Sequence, residues 1–337
     1  MTNQAVSDVE HKVIAILQVL KDSSEPMGST LIGRKLRDSG IDANERTIRN
    51  HLRILDERGF TKLVSRRQGR LVTQLGLHEL DNALIGDRVG SAITKIEMLI
   101  YQTSFEPEKS AGQVPVNVSL FPADKFKKCL EIMKGICTTH ICASELVCVA
   151  GEGERLGEVK IPPGKVGLAT LSNIAVSAVL IKMGIPVDFR FGGLLQVRKN
   201  NCIRFVDLIE YTGSSINPYE VFIASKMTDL NGVRQDGNGK MLASFNEIPA
   251  LARTKVETII KGLERLGISG IITIGRAGEP LCETPVKSGK FGLVLADGLN
   301  LAAAVAETGI EVENHAVCGT IDFTSMRPLS SPTLIPR

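Results

Sequence analysis

Residues 42–72, DANERTIRNHLRILDERGFTKLVSRRQGRLV, decide how the front of this chain folds. Asp42-Ala43-Asn44-Glu45 has the form of a capping box, Asp42 accepting from first-turn amides and Glu45 reaching back. A helix is therefore expected from here to about Arg58, stopped by Gly59. Ile48, Leu52 and Leu55 share one face of it, and the opposite face carries Arg46, Arg49, Asn50 and Arg53, with Thr47 beside them. The segment after Gly59 reads as two short strands around Arg67-Gln68-Gly69-Arg70, a turn in which glycine supplies positive φ. Arginine offers a fork to guanine and to phosphate, and asparagine pairs with adenine, so the helix face is fitted to read a major groove. Arg66, Arg67 and Arg70 are expected at the hairpin tip, on the backbone or in the minor groove.

Upstream, Val9, Val13, Ile16, Leu17 and Leu20 define a first amphipathic helix that ends before Ser23-Ser24-Glu25-Pro26. A second, short helix starts near Ser29, carries Leu31, Ile32 and Leu36, and stops at Ser39-Gly40. Together these predict a winged helix-turn-helix over residues 5–75. Residues 44–70 hold eight Arg and Lys against three acids, a local excess larger than the formal +3 of the whole chain. That concentration is the footprint of a nucleic-acid-binding element. The competing reading is a solvated basic face on a protein-binding winged helix.

With 337 residues, 43% hydrophobic and 23% charged, the chain suits a soluble protein of two or three domains. No apolar run approaches the ~20 residues that cross a bilayer, and the opening MTNQAVSDVEHK lacks the order of a signal peptide. A cytoplasmic location with no membrane partner is expected. Seven cysteines, an odd number in a chain too large to need staples, are expected as reduced thiols. The spacing Cys137-Thr-Thr-His140-Ile-Cys142, with Cys148 beyond, fits no standard zinc pattern, so no metal is expected.

From Leu77 to Tyr101 a stripe of Val89, Ile93, Ile96 and Ile100 predicts a helix, either a connector or dimer helix within residues 76–110 or one packed on its own domain. Behind it lies an internal repeat. Shifted by 125, residues 153–187 match residues 278–312 without a gap at twelve of 35 positions, including Gly164-Lys165 with Gly289-Lys290 and Gly184-Ile185 with Gly309-Ile310. Each copy reads as an apolar strand (Leu146 to Ala150, Ile271 to Ile274), a Gly-Glu loop, a Gly-Lys turn, an Ala-rich helix and a further strand. Upstream strands are expected at Val114 to Phe121 and Tyr219 to Ser225. This predicts an α/β regulatory domain over 111–330, built from two duplicated lobes at about 112–213 and 217–329, with a ligand cleft between them.

The segments GKVGLATLSN (164–173) and GKFGLVLADGLN (289–300) read either as anion cradles at helix starts or as turn glycines beside surface lysines. Cys148, at the end of the strand leading into the first Gly-Glu loop, is a candidate pocket residue. The histidines are scattered and no nucleophile, base and orienter stand in order, so no enzymatic activity is expected. The alternative from another class is a metabolic enzyme with a DNA-binding head, using Cys148 or Lys165.

A winged-helix head combined with GEGERLGEVKIPPGKVGLATLSN (151–173), GIPVDFRFGGLLQV (184–197), NPYEVFIASKMTD (217–229) and GLNLAAAVAETGIE (298–311) resembles the nitrogen-regulatory repressor family of methanogenic archaea, NrpR. The resemblance covers essentially the whole chain. It implies a homodimeric repressor of nitrogen-assimilation operons that binds palindromic operator DNA and is released by 2-oxoglutarate, with no cofactor. A headless homologue and the basal transcription machinery are further partners it suggests. A dianion with a keto oxygen needs cationic or amide donors at two points, which makes Arg155, Lys165, Thr170, Ser172, Asn173 and Arg190, with Asn300 and Cys148, the candidate effector residues.

Overall fold

Periodic apolar residues fold the front of the chain as three helices, seen in a computed structural model that describes residues 3–337 apart from 24, 39, 42, 43, 66, 82–90, 138–140, 332, 333 and 335–337. The chain divides into two units, Met1–Val89 and Gly90–Arg337. In the first, α1 (Asn3–Lys21), α2 (Ser29–Asp38) and α3 (Glu45–Glu57) enclose Ile16, Leu17, Leu20, Ile32, Leu36, Ile48, Leu52 and Leu55. A Cβ at Gly33 would stand 2.8 Å from Ile48 Cδ1, so glycine there lets α2 and α3 approach closely.

The cap of α3 differs from the expectation. It is Asn44, whose Oδ1 accepts from Thr47 N at 2.8 Å and Thr47 Oγ1 at 2.9 Å, while Asp42 lies outside the described residues. Glu45 accepts from Ser29, Thr30 and Arg49 rather than reaching back. Strands β1 (Thr61–Ser65) and β2 (Gly69–Val72) form the hairpin, and Met27 and Arg70 exchange two 3.0 Å backbone bonds that add a third rung. Gly69, at φ +101°, has no room for a Cβ, which would come within 2.2 Å of the Met27 carbonyl. Helix α4 (Gln74–Asp81) packs on α1 and completes the described part of this unit.

The helix expected over 77–101 is divided between the units. After α4, residues 82–90, Val89 among them, lie outside the described residues, and α5 (Ser91–Gln102) belongs to the second unit. There Ile96, Leu99 and Ile100 pack against Ile174, Ala178 and Tyr211, so this part packs on its own domain.

The duplication is visible as a repeated order of elements. The first copy runs β3 (Gln113–Pro122), α6 (Phe126–Cys137), β4 (Leu146–Ala150), the small hairpin β5 (Arg155–Leu156) and β6 (Val159–Lys160), β7 (Lys165–Leu171), α7 (Ile174–Lys182) and β8 (Asp188–Arg198), followed by β9 (Asn201–Glu210). After α8 (Pro218–Ala224) and α9 (Leu230–Asp236), the second copy runs β10 (Gly239–Pro249), α10 (Arg253–Arg265), β11 (Ile271–Ile274), β12 (Lys290–Ala296), α11 (Asn300–Glu307) and β13 (Glu313–His315), with β14 (Thr320–Asp322) and β15 (Arg327–Pro328) closing the chain.

Two expectations are corrected. Tyr219 to Ser225 is not a strand: Asn217 caps a helix there by accepting from Tyr219 N at 2.9 Å, with proline in its first turn, and the upstream strand of the second copy is β10. The Gly-Lys segments are not cradles of loop backbone either, because Lys165–Leu171 and Lys290–Ala296 are buried central strands.

The two copies exchange their last strands. One antiparallel sheet has the order β13-β3-β7-β4-β15, with β14 also on β3, and the other the order β11-β12-β10-β8-β9. Leu120 of β3 therefore lies between Gly167 of β7 and Glu313 of β13, just as Glu247 of β10 lies between Gly292 of β12 and Asp188 of β8. Helix α7 of the first copy packs on α10 of the second, and α11 of the second on α6 of the first. The strand exchange interlocks the two lobes, and two apolar clusters each draw residues from both copies.

Candidate functional site

On α3 the buried stripe leaves the other face to solvent. Arg46, Arg49, Asn50 and Arg53 are exposed, and Thr47 is half-buried by its bonds to the cap. Arg49 and Arg53 stand in exposed i,i+4 pairs with Glu45 and Glu57, at 2.6 and 2.7 Å, their side chains 67% and 65% exposed. Such pairs are weak and salt-screened, so both guanidinium groups are available to a polyanion. Along the hairpin Arg67 is exposed and Arg66 lies outside the described residues. Arg70 departs from the expectation of a tip residue: its side chain is only 22% exposed, and Nε holds Asp56 Oδ2 at 2.8 Å while Thr61 donates to Oδ1 of the same carboxylate at 2.6 Å. Arg70 thus ties the hairpin to the end of α3.

In the second unit the copies meet around a polar core. Asn117 of β3, Ser172 and Asn173 before α7, Ser244 and Asn246 of β10, and Asp297 before α11 are all buried. Asn117 Nδ2 and Leu299 N both donate to Asp297 Oδ1 at 2.9 Å, and Asn173 Nδ2 donates to the Tyr219 hydroxyl at 2.7 Å, which lies 3.0 Å from that of Tyr211. Burial pushes the Asp297 carboxyl up to about 7, although the amides of Leu299, Asn173 and Asn117 oppose the shift. Asn246 Oδ1 and Thr170 Oγ1 are buried without a hydrogen-bond partner among the described residues. Ser172, Asn173, Ser177, Tyr211, Tyr219 and Asn246 line a cavity of about 10 Å³, room for about one water and not for a dicarboxylate.

The expected effector residues do not converge. Ser172 and Asn173 line this cavity and Thr170 pairs with Asn117 beside it, but among the described residues no lysine or arginine lines the cavity. Asn300 is occupied in holding Leu242 N and O and Ile141 O, so its role is structural. Cys148 pairs with Ala169 across the sheet, and Thr170, one residue on, faces the other side. Arg155 bonds the Glu158 carbonyl in the small hairpin, and Lys165 sits at the outer start of β7. Neither Cys148 nor Lys165 has a hydrogen-bonded base among the described residues. His140 lies outside them, the Cys137 and Cys142 sulfurs are 3.4 Å apart, and no metal-binding group of three His, Cys, Asp or Glu occurs among the described residues.

Arg190 stands in a separate charged group. Its Nη1 lies 3.2 Å from Oε1 of Glu247, a carboxylate with no solvent exposure, whose Oε2 has Lys290 Nζ at 3.7 Å and Lys287 Nζ at 3.8 Å. Both lysines also hold Asp188, at 2.9 and 3.1 Å. Partial burial works to raise that carboxyl, but the Lys290 and Lys287 ammonium groups hold it below its ordinary value. Three cations thus face two carboxylates. A wider groove of about 680 Å³ presents Glu220, Glu307 and Glu311 against Lys226, the wrong sign for a dianion.

Sequence reasoning missed Asn117, Ser244, Asn246, Asp297, Lys287 and Glu247. The signal for Asn117, Ser244 and Asn246 was present: VPVNVSLF and LASFN alternate polar with apolar residues inside strands that are buried on both faces.

Residues 89–328 match a family model described as the NrpR regulatory domains NRD1 and 2, and residues 14–80 one described as a ribonuclease R winged-helix domain. Over 95% of its length the chain is 38% identical to the global nitrogen regulator NrpRI of Methanosarcina mazei, 98% of which is covered. It is 28% identical to the global nitrogen regulator NrpR of Methanococcus maripaludis and 29% to that of Methanocaldococcus jannaschii, spanning 54% and 56% of those longer chains. The crystal structure of a nitrogen repressor-like protein from Methanococcus jannaschii superposes with a TM-score of 0.60 at 22% identity, over 71% of this chain and 98% of that one, and bears on the fold alone. No helix among the described residues is long and apolar enough to cross a membrane.

Proposed function

The chain belongs to the NrpR family, and from that premise we propose that it is a nitrogen-responsive transcriptional repressor whose winged helix holds operator DNA until 2-oxoglutarate releases it. The observation that carries this reading is the exposed basic face of α3 on the same chain as a regulatory domain of that family. One winged helix reads few base pairs, so the working form is a homodimer on a palindromic site. Asn50, Arg49 and Arg53 read bases, with Arg46 and Thr47 beside them, while Arg66 and Arg67 hold phosphates. A headless homologue and the basal transcription machinery are proposed as further partners. The protein binds its effector without transforming it.

Charge chemistry assigns the effector carboxylates to the group of Arg190, Lys287 and Lys290 rather than to the neutral core, since a dianion must replace Glu247 and Asp188 as the partner of those cations. Phe189, between Asp188 and Arg190, lines the central cavity, so a shift of this part of β8 reaches Asn173 and Asn246. Fluorescence anisotropy on promoter fragments of nitrogen-assimilation genes tests the reading. Tight, salt-dependent binding that falls on addition of 2-oxoglutarate is expected; binding no tighter than to random DNA rejects the operator, and a flat 2-oxoglutarate curve rejects the effector.

A further inference from the structure

Sheet edges invite pairing with another chain, and the usual defence is to keep them short. Most edges of the two regulatory sheets obey this rule: β11 has four residues, β13 three and β15 two. Strand β9 does not. It is an edge strand of ten residues, NCIRFVDLIE, without proline, and among the described residues its backbone from Cys202 to Glu210 bonds to nothing beyond β8. Ile203 and Leu208 on it are 36% and 50% exposed.

The strand is complementary to itself. Laid antiparallel on a second copy about a dyad at Phe205-Val206, it opposes Arg204 to Asp207 and Ile203 to Leu208 in sequence. In a regular strand such a dyad is forbidden, because residues three apart point to opposite faces and the dyad normal to a sheet preserves faces. A bulge at Val206 removes that obstacle between Arg204 and Asp207, and a second bulge, at Ile203, ends the self-complementary stretch there. Arg204 pairs with Gln196 and Asp207 with Leu194, two residues apart on β8, so the extra residue Val206 brings Arg204 and Asp207 to the same face. Phe205 and Leu208 share the other face, opposite Leu195 and Gly193. Arg204 is 46% exposed with only a 3.6 Å contact to exposed Glu283, and Asp207 has no ion-pair partner among the described residues.

We propose that β9 is the surface on which two copies of this chain join, antiparallel, with Arg204 of each copy paired to Asp207 of the other. The five-stranded sheet then continues through the dyad into its partner, and the closed twofold consumes the open edge. This rests on the homodimer proposed above and adds its interface.

Charge reversal in the full chain tests it, with mass read by light scattering and the near-ultraviolet signal of buried Tyr211 and Tyr219 as the check on folding. Arg204→Asp makes both positions acidic and Asp207→Arg makes both basic, so each variant alone should raise the dimer dissociation constant at least tenfold. An equimolar mixture of the two should restore dimers, because every Arg204→Asp chain then meets opposite charges on an Asp207→Arg chain. The double variant should likewise dimerise as the wild type does. Wild-type dimers that persist in both single variants overturn the interface and leave the homodimer standing, as does a mixture of folded variants that stays monomeric. A wild type that is monomeric at all concentrations overturns the homodimer itself.

Discussion

The two copies of the repeat solve one packing problem with different chemistry. At positions matched by register or by the 125-residue shift, the sheet around β3 has Leu120, Glu313, His315 and Pro162, and the sheet around β10 has Glu247, Asp188, Arg190 and Lys287. Before the Ala-rich helices Ser172 corresponds to Asp297. Leu120 where the other sheet buries Glu247, and Ser172 where the other copy buries Asp297, show that the fold does not demand these two buried carboxyls. A buried ion pair seldom adds net stability over well-packed apolar residues, which points to a role beyond packing.

The largest effect is expected at Asp297. Its carboxyl sits at about 7 in the folded chain against an ordinary 3.8, so the native state keeps a proton that the unfolded chain releases. This group therefore withdraws stability as pH rises from about 4 to about 7, on the order of 4 kcal/mol in all. Asp297→Asn keeps an acceptor for Asn117 and Leu299 and cannot titrate. Urea unfolding followed by the buried tyrosines should show the variant gaining on the wild type across that interval, and a difference independent of pH would refute the assignment.

Next comes Glu247→Leu, which installs the first copy's residue in the second. Leaving Arg190, Lys287 and Lys290 without their buried partner should cost about 3 kcal/mol, and adding Arg190→Leu should recover part of it. Additive losses in the double variant would mean that the two side chains are not coupled.

A second pair, in the head, sharpens the same distinction between structural and functional charge. Asn50→Ala should cost roughly 1–3 kcal/mol of DNA binding at one base pair, and Arg67→Ala should weaken all sequences alike and lower the salt slope by about one. Arg70→Ala should instead destabilise the head by about 1 kcal/mol through loss of its half-buried bond to Asp56, with the salt slope little changed. Binding isotherms at several salt concentrations and thermal unfolding separate the two; equal changes in slope from Arg67 and Arg70 would erase the distinction.

Local signals were legible in the sequence, and non-local pairings were not. The stripe of Ile48, Leu52 and Leu55 and the stop at Gly59 act within a few residues and were read correctly, as was the hairpin glycine Gly69, although the space for its Cβ is closed by the distant Met27. The capping position was misread because Asp42 and Asn44 are both good caps two residues apart. The segment KVGLATL looked like a loop on account of its glycine, yet Gly167 is there because a Cβ would stand 2.3 Å from Ile161 Cδ1, a demand set by packing rather than by a turn. Pro218 after Asn217 was a helix-start signature hidden by the short apolar run that follows. The exchange of β8 and β13 between copies left no local trace at all, since a strand's partner is not written in its own residues. For the same reason Arg190 was singled out without Glu247, and Asn173 without Asp297.

Titrating 2-oxoglutarate calorimetrically into the free chain and into the chain saturated with its operator tests the central claim most directly. The account predicts binding ten- to a hundredfold weaker to the operator complex, a coupling of ~1.4–2.8 kcal/mol, with the ligand recovered unchanged. Equal affinity in the two states, or consumption of the ligand, would contradict it.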